Sequence, residues 1–476
     1  MTDESVRDGE PDPKSDGESK PKSDGRTDLK TDGGTDPKPD DSEEREEPDS
    51  ATGVLLDALR ENDLGLVLLT LLLVYAGATL LTFTDGLNSV VGLMRTLTFL
   101  GLVYALSALA LNLHWGYTGL FNIGVAGFMA VGVYTMGIVV RSPDPAFGPP
   151  GFGLPLPVGI VAGMLAAAVI GLLAALPALR LKADYLAIVT LGLSEIIRLT
   201  LQSSAFDTFL RDTIGVGTGG GRGMGMPSNP VRELFLVDGR AGDPTALGQL
   251  VFGTLGEGGL GISNNILIGW GYVVVLAVFL VGFYVLLERL GNSPFGRNLK
   301  AIREDELVAD SLGKNVDLIK IKVFMIGCAL MGLAGILWFG SQGNVSPTPQ
   351  FMPLLTFYIF VAVIIGGSGS NTGSVIGGIV FATVLFEGPR RAGAAVRGII
   401  DAPTPPSFAD AVVSLDPVAF LAFATDNVAP LQFVFLGVVL IFLMHRRPDG
   451  LLGNRVETAA AVDLSERSQG GDTNEQ

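Results

Sequence analysis

The sequence is poor in the residues that most catalytic chemistry requires. One cysteine, Cys328, and two histidines, His114 and His445, occur in 476 residues. No disulfide framework can form within the chain, and the usual Cys/His ligand sets for zinc cannot be assembled. A nucleotide-binding phosphate loop is also missing: the only Gly-Lys pair, Gly313-Lys314, is followed by Asn315, and Val308 stands where the first glycine is needed. The run Gly215–Gly221 resembles such a loop only in glycine content, without a strand-turn-helix context. His114 and His445 lie at segment ends with no obvious partner in the sequence. No nucleophile-base pair stands out. We therefore expect no catalytic residue, no metal and no cofactor, so the chain reads as a non-enzyme.

Charge is scarce in the middle of the chain and abundant at its ends. Residues 1–50 hold 18 Asp/Glu against 8 Lys/Arg, and residues 451–476 hold 5 against 2. The 400 residues between carry 25 against 22, so the formal charge of −16 belongs mostly to the tails. No basic stripe offers itself to nucleic acid. Residues 1–55 and 454–476 read as disordered acidic tails, because they cannot bury enough apolar surface to offset ordering entropy. The first segment lacks the apolar stretch of a signal peptide. Such tails suit a high-salt cytoplasm, or act as ordinary solubilising segments.

What the chain has instead is long uncharged sequence. Mean hydropathy is +0.45. Thr96–Val140 is 45 residues without Asp, Glu, Lys or Arg, and Val323–Phe386 is 64. About 20 apolar residues suffice for a helix to cross a hydrocarbon core about 30 Å thick, and in lipid the backbone must satisfy itself. Residues 60–453 therefore read as a polytopic, all-α membrane domain with ten candidate segments: 64–83, 90–113, 117–140, 157–179, 185–201, 265–289, 319–342, 353–366, 374–388 and 431–445. The eighth and ninth are short and separated by Gly366–Gly373. They form either broken helices along a substrate path or a tight hairpin. Basic residues cluster at Arg180 and Lys182, at Arg297, Lys300, Arg303, Lys314, Lys320 and Lys322, and at His445-Arg446-Arg447. Ten crossings put all three clusters, and both termini, on one side. That side should be cytoplasmic. Arg390, Arg391 and Arg397 then fall outside, in a long connection that counts less under the rule.

The 292–318 connection is the segment richest in signals. Asn292 or Ser293 can cap a helix with Pro294 at its first position. Ile302, Glu306 and Ala309 recur at helical spacing, and Gly313 is a natural stop. The spacing predicts a short charged helix over Arg297–Gly313, either an ordinary solvated loop helix or a knob that a soluble motor grips. In the fifth segment, Glu195 and Arg198 lie three apart on one face, so they either pair or serve transport.

Several motifs resemble those of ABC-importer permeases for branched-chain amino acids, the LivM/LivH kind. Leu307-Val308-Ala309, three residues, then Gly313 is similar to the Glu-Ala-Ala coupling loop, with Glu306 one position early and Val308 for the middle Ala. Gly296-Arg297 and Ala301–Glu306 match the branched-chain subgroup. Gly116–Gly124 resembles its early glycine-rich motif, with Val125 where His is common, and Leu179–Gly192 the motif of the fifth segment. Met331–Gly335, Gly366–Gly369 and Arg446–Gly453 continue the series, in order from about 95 to 453, with insertions near 228–262 and 389–428. The resemblance implies an importer subunit in the cell membrane. Its implied partners are a second related permease, two cytoplasmic ATPases that hydrolyse the ATP, and an external substrate-binding protein. It implies coupling to the ATPase through Arg297, Arg303, Glu304, Asp305, Glu306, Ala309 and Gly313. It places Gly119, Asn122, Gly124, Gly192, Gly366 and Gly367 along the path of leucine, isoleucine and valine, and we expect Thr190 and Glu195 beside that path. Urea or an amide is the alternative substrate within the family. An ATP-independent secondary transporter is the rival from another class.

Overall fold

A computed structural model describes residues 63–82, 86–145, 148–178, 183–227, 229–237, 242–400 and 402–452. The two acidic tails, and Arg180 and Lys182 with them, lie outside the described residues.

Each of the ten apolar segments is helical over most of its described residues. They are α1 (Asp63–Thr82), α2 (Leu87–Thr118), α3 (Val125–Val140), α4 (Leu156–Ala178) and α5 (Ala183–Gln202). A short α6 (Ser204–Ile214), α7 (Pro230–Phe235) and α8 (Ala246–Thr254) separate these from α9 (Asn264–Asn292). Then come α10 (Pro294–Glu304), α11 (Glu306–Ser311), α12 (Val316–Phe339), α13 (Pro353–Gly366) and α14 (Asn371–Val380), which widens into a π turn over Phe381–Glu387. The insertion near 389–428 forms α15 (Gly388–Ile399), α16 (Phe408–Val413) and α17 (Pro417–Asp426), before α18 (Val428–Arg446). Among the described residues, seven helical stretches are long and apolar enough to cross a membrane, and four shorter apolar helices accompany them. The only paired strands among the described residues are β1 (Met224–Gly225) and β2 (Asn344–Val345), antiparallel, with Met224 opposite Val345.

The bundle is built round α2. Its 32 residues span about 48 Å at 1.5 Å per residue, and α2 is the most enclosed of the long helices, whereas α5 is the least. Lipid tails are as apolar as leucine, so helices in a membrane associate by close packing rather than by exclusion of water. Glycines permit that approach at the junction of α3, α4 and α12. A Cβ on Gly132 would stand 2.6 Å from the Cα of Gly332, and one on Gly163 would stand 2.5 Å from the Gly132 carbonyl oxygen. The outward faces of α4 (Val158, Val161, Leu165, Val169) and α9 (Val274, Val278, Val281) expose apolar side chains at helical spacing, as lipid-facing surfaces do.

Between α2 and α3 the chain is irregular, and buried side chains satisfy its backbone. Ile123 N–H donates to Thr190 Oγ1 at 3.0 Å, Gly124 N–H to Asn122 Oδ1 at 2.8 Å, and Ala126 N–H to Thr356 Oγ1 at 3.0 Å. Non-helical backbone at membrane depth is tolerated only where it is enclosed and paired in this way. The two short segments at 353–366 and 374–388 form the hairpin rather than broken helices. α13 and α14 pack so closely that a Cβ on Gly377 would sit 2.8 Å from the Gly366 Cα.

Candidate functional site

One end of the bundle gathers the α2–α3 break, the α13–α14 turn, the α9–α12 connection and the segment after α18. Leu451 and Leu452 N–H donate to the Ile365 and Gly366 carbonyls at 2.9 and 3.0 Å. A Cβ on Gly450 would stand 2.6 Å from the Cα of Gly367. Gly369 N–H donates to Asn112 Oδ1 at 2.8 Å, and Asn112 Nδ2 in turn donates to Asn371 Oδ1 at 3.3 Å. Asn371 Nδ2 donates to Glu288 Oε2 at 3.0 Å, so α2, α14 and α9 share one polar chain.

The 292–318 connection projects from this end as an elbow of two helices, not the single helix the spacing predicts. Ser293 Oγ accepts from Gly296 N–H at 3.2 Å, and Pro294 takes the first helical position of α10. The break falls at Asp305. Its backbone is extended, and its Oδ1 accepts from Leu307 and Val308 N–H at 2.9 and 3.1 Å. An N-cap of this kind starts a new helix and ends the old one. Gly313, with φ of 76°, follows the last turn of α11 as expected.

Three contacts weld the elbow to the bundle. Arg303 Nη1 donates to the Gly116 carbonyl at 2.6 Å. That carbonyl belongs to the last turn of α2, where acceptors lack helical partners and a cation is favoured by the helix dipole. Arg303 fits because glycines clear its path: a Cβ on Gly119 would stand 3.3 Å from its Cγ, and one on Gly369 would stand 3.1 Å from Nη1. Lys320 Nζ on α12 pairs with Glu306 Oε2 at 2.5 Å. The Lys300 ammonium lies 5.9 Å from the centre of the Tyr117 ring. Beneath the elbow, Leu299 packs into the main core, while Ile302, Ala309 and Val316 form a small buried cluster of their own.

The outer surface of the elbow is apolar at its tip. Leu307 is 79 % exposed, Leu312 73 % and Val308 54 %. Arg297, Glu304, Asp305 and Asp310 of the same connection are exposed too. An exposed apolar patch with a charged rim, held by rigid supports, is the form of a docking surface.

The residues expected along a substrate path fall in three places. Asn122, Gly124 and Thr190 lie together in the buried α2–α3 break, with Asn122 and Thr190 fully enclosed. Gly119, Gly366 and Gly367 lie at the elbow end, in contact with Arg303 or with the segment after α18. Gly192 and Glu195 are on α5, where a Cβ on Gly192 would meet nothing within 4 Å. Glu195 pairs with Arg198, whose Nε donates to Oε2 at 2.9 Å, and Arg198 also meets Gln202 and Thr348.

His114 does have partners, one eight residues on and one distant in sequence. Its Nδ1 accepts from Asn122 Nδ2 at 3.1 Å and its Nε2 donates to the Phe324 carbonyl at 3.1 Å. The imidazole stacks on the Phe324 ring with centroids 4.8 Å apart. The carbonyl can only accept and the amide nitrogen can only donate, so the ring is held as the neutral Nε2–H tautomer. The Asn112–Asn371–Glu288 chain likewise left no mark in the sequence beyond polar residues in apolar runs.

Residues 93–444 match the family model described as branched-chain amino acid transport system / permease component. The high-affinity branched-chain amino acid transport system permease protein LivM of Escherichia coli (strain K12) is 32 % identical over 290 residues, covering 59 % of this chain and 60 % of that protein. The probable branched-chain amino acid transport permease protein LivM of Methanocaldococcus jannaschii is 27 % identical over 318 residues, covering 60 % and 79 %. The E. coli LivH permease protein is 25 % identical over 283 residues, covering 59 % and 80 %. The similarity thus spans about three fifths of the length of the LivM relative from E. coli. No solved structure matches. The matched region runs from the first third of α2 to near the end of α18, taking in the core helices, the elbow and the polar break, and the chain belongs to the branched-chain amino acid permease family of multi-pass membrane proteins.

Proposed function

We propose that the chain is a membrane subunit of an ABC importer for branched-chain amino acids, and that its elbow, α10–α11, is where a separate cytoplasmic ATPase grips it. The observation that carries this reading is the apolar tip of Leu307, Val308 and Leu312 on an elbow fastened to both α2 and α12. A pore or an ion-coupled carrier needs no such device. A motor-driven permease does, because the motor can only shift the equilibrium between permease states through contacts that differ between them. In this reading the elbow faces the cytoplasm, a related permease completes the pathway, and an external binding protein delivers leucine, isoleucine or valine. Arg297, Glu304, Asp305 and Asp310 form the polar rim of the grip. Arg303, Glu306 and Ala309 hold it to the bundle, and Gly313 ends it.

The test is a double variant, Leu307→Asp with Leu312→Asp, expressed with the companion subunits. Membrane insertion and thermal stability should match the parent, while ATPase co-purification and ATP-driven leucine uptake are lost. Unchanged uptake would refute the assignment.

A further inference from the structure

We propose that the end of the bundle opposite the elbow carries a small pocket, headed by Arg95, that takes the carboxylate of an apolar amino acid; this deepens the import function proposed above and rests on it. Arg95 is the one Asp, Glu, Lys or Arg in α2. It lies 21 residues before Gly116, so about 32 Å of helix separates it from the elbow contact. A cation in a membrane helix is costly without a partner. Among the described residues no carboxylate lies within ion-pairing distance of Arg95, and its hydrogen bond to Thr96 Oγ1 is long at 3.5 Å.

The surroundings fit a small zwitterion. Arg95 lines a cavity of about 230 Å³ with Thr96, Asn229, Ser341 and Gln342, and no acidic residue contributes to the lining. These neutral groups can both donate and accept, as an ammonium next to a carboxylate requires. Phe99 and Tyr272 supply an aromatic wall, their rings 6.4 Å apart. The phenol of Tyr272 donates to the Leu337 carbonyl at 2.6 Å and also meets the Ser341 hydroxyl, so its ring rather than a free hydroxyl is what it offers a ligand. Gly269 on α9 makes room for the cation: a Cβ there would stand 2.5 Å from Arg95 Cδ and 2.7 Å from Nη1. The volume is below the range of about 300–1,000 Å³ typical of drug-sized ligands. The chemistry of the site is a guanidinium facing a small anion beside an apolar surface, so the carboxylate of leucine on Arg95 leaves the isobutyl group against Phe99 and Tyr272.

The experiment is binding of radiolabelled L-leucine to the purified full-length chain in phosphatidylcholine nanodiscs. We expect saturable binding that isovalerate displaces and isopentylamine does not, because only the former carries a carboxylate. Arg95→Gln should weaken binding about tenfold or more, the loss expected for a charge-assisted hydrogen bond. Arg95→Lys should keep an intermediate affinity, and Gly269→Val, which fills the space of the guanidinium, should weaken binding as well. Equal displacement by isopentylamine, no saturable binding by the parent, or a folded Arg95→Gln protein within twofold of the parent overturns the pocket. The competitor series uses the parent protein, so it stands even if a variant fails to fold. A lipid phosphate is the other source of an anion. If phosphatidylglycerol is retained by the parent in native mass spectrometry and lost from Arg95→Gln, while leucine binding is unchanged, the occupant is a headgroup and the proposal falls. ATP-driven uptake by the assembled importer separates the two readings. Parent uptake with an indifferent Arg95→Gln sinks the pocket alone, whereas no leucine uptake by the parent sinks the import function.

Discussion

Arg303 on α10 donates from Nη1 to the carbonyl of Gly116 on α2 at 2.6 Å, across 187 positions of sequence. The contact joins the elbow to the most enclosed helix of the bundle, and in the proposed mechanism a push on one is delivered to the other. It also caps the end of α2, which a neutral side chain of the same length could do less well. Replacement of Arg303 by Ala leaves the Gly116 carbonyl short of its partner, a loss of about 1–3 kcal/mol for a hydrogen bond to a charged group. The expected outcome is insertion at normal levels with ATP-driven uptake reduced at least tenfold, and partial recovery in Arg303→Lys. Uptake assays in vesicles with matched protein amounts check this.

The two-helix form of the elbow depends on Asp305. Asp305→Ala removes the acceptor for the Leu307 and Val308 N–H groups, and loss of such a cap costs about 0.5–2 kcal/mol. Hydrogen exchange should accelerate in 306–311 and remain unchanged in α12. Asp305→Asn should behave much like the parent, since asparagine caps as well as aspartate does.

The α2–α3 break stands or falls with its side-chain acceptors. Thr190→Val keeps the shape but removes the buried acceptor of the half-buried Ile123 N–H. A destabilisation of about 1–3 kcal/mol is expected, read as a lower thermal transition in detergent, with Thr190→Ser close to the parent. A Thr190→Val protein as stable as the parent would contradict it.

Close packing at the three-helix junction predicts a sharper penalty. A side chain at Gly332 meets the Ala167 Cβ at 2.7 Å from its first carbon, and overpacking a tight core costs about 1–3 kcal/mol or more. Gly332→Val should reduce the yield of folded, monodisperse protein. Gly192→Ala, at an open position of α5, should leave the yield and the thermal transition unchanged.

The helices were legible because the bilayer imposes their length. Uncharged runs of twenty residues or more have one solution in lipid, and α13 begins and ends where 353–366 was expected. Ser293, Pro294 and Gly313 marked the start and end of the elbow because capping acts over three or four residues. Its break at Asp305 was not legible: helical spacing continues from Ile302 through Glu306 to Ala309, and an aspartate in mid-pattern reads equally as a solvated side chain. The polar contacts escaped for a different reason. His114 finds Phe324 and Ile123 finds Thr190 as neighbours only once α2, α5 and α12 have packed, and no local pattern encodes a pairing 210 residues apart. Gly119, Gly366 and Gly192 looked alike in sequence, yet the first gives way to Arg303, the second to α14 and the third to open space.

The central claim is that the tip of the elbow faces the cytoplasm and is covered by the ATPase. Labelling of Leu307→Cys with a membrane-impermeant maleimide tests it most directly, because the native Cys328 is buried and adds no background. Inside-out vesicles should label, right-side-out vesicles should not, and co-expressed ATPase subunits should protect the site. Labelling from the external face, or equal labelling with and without the ATPase, would contradict it.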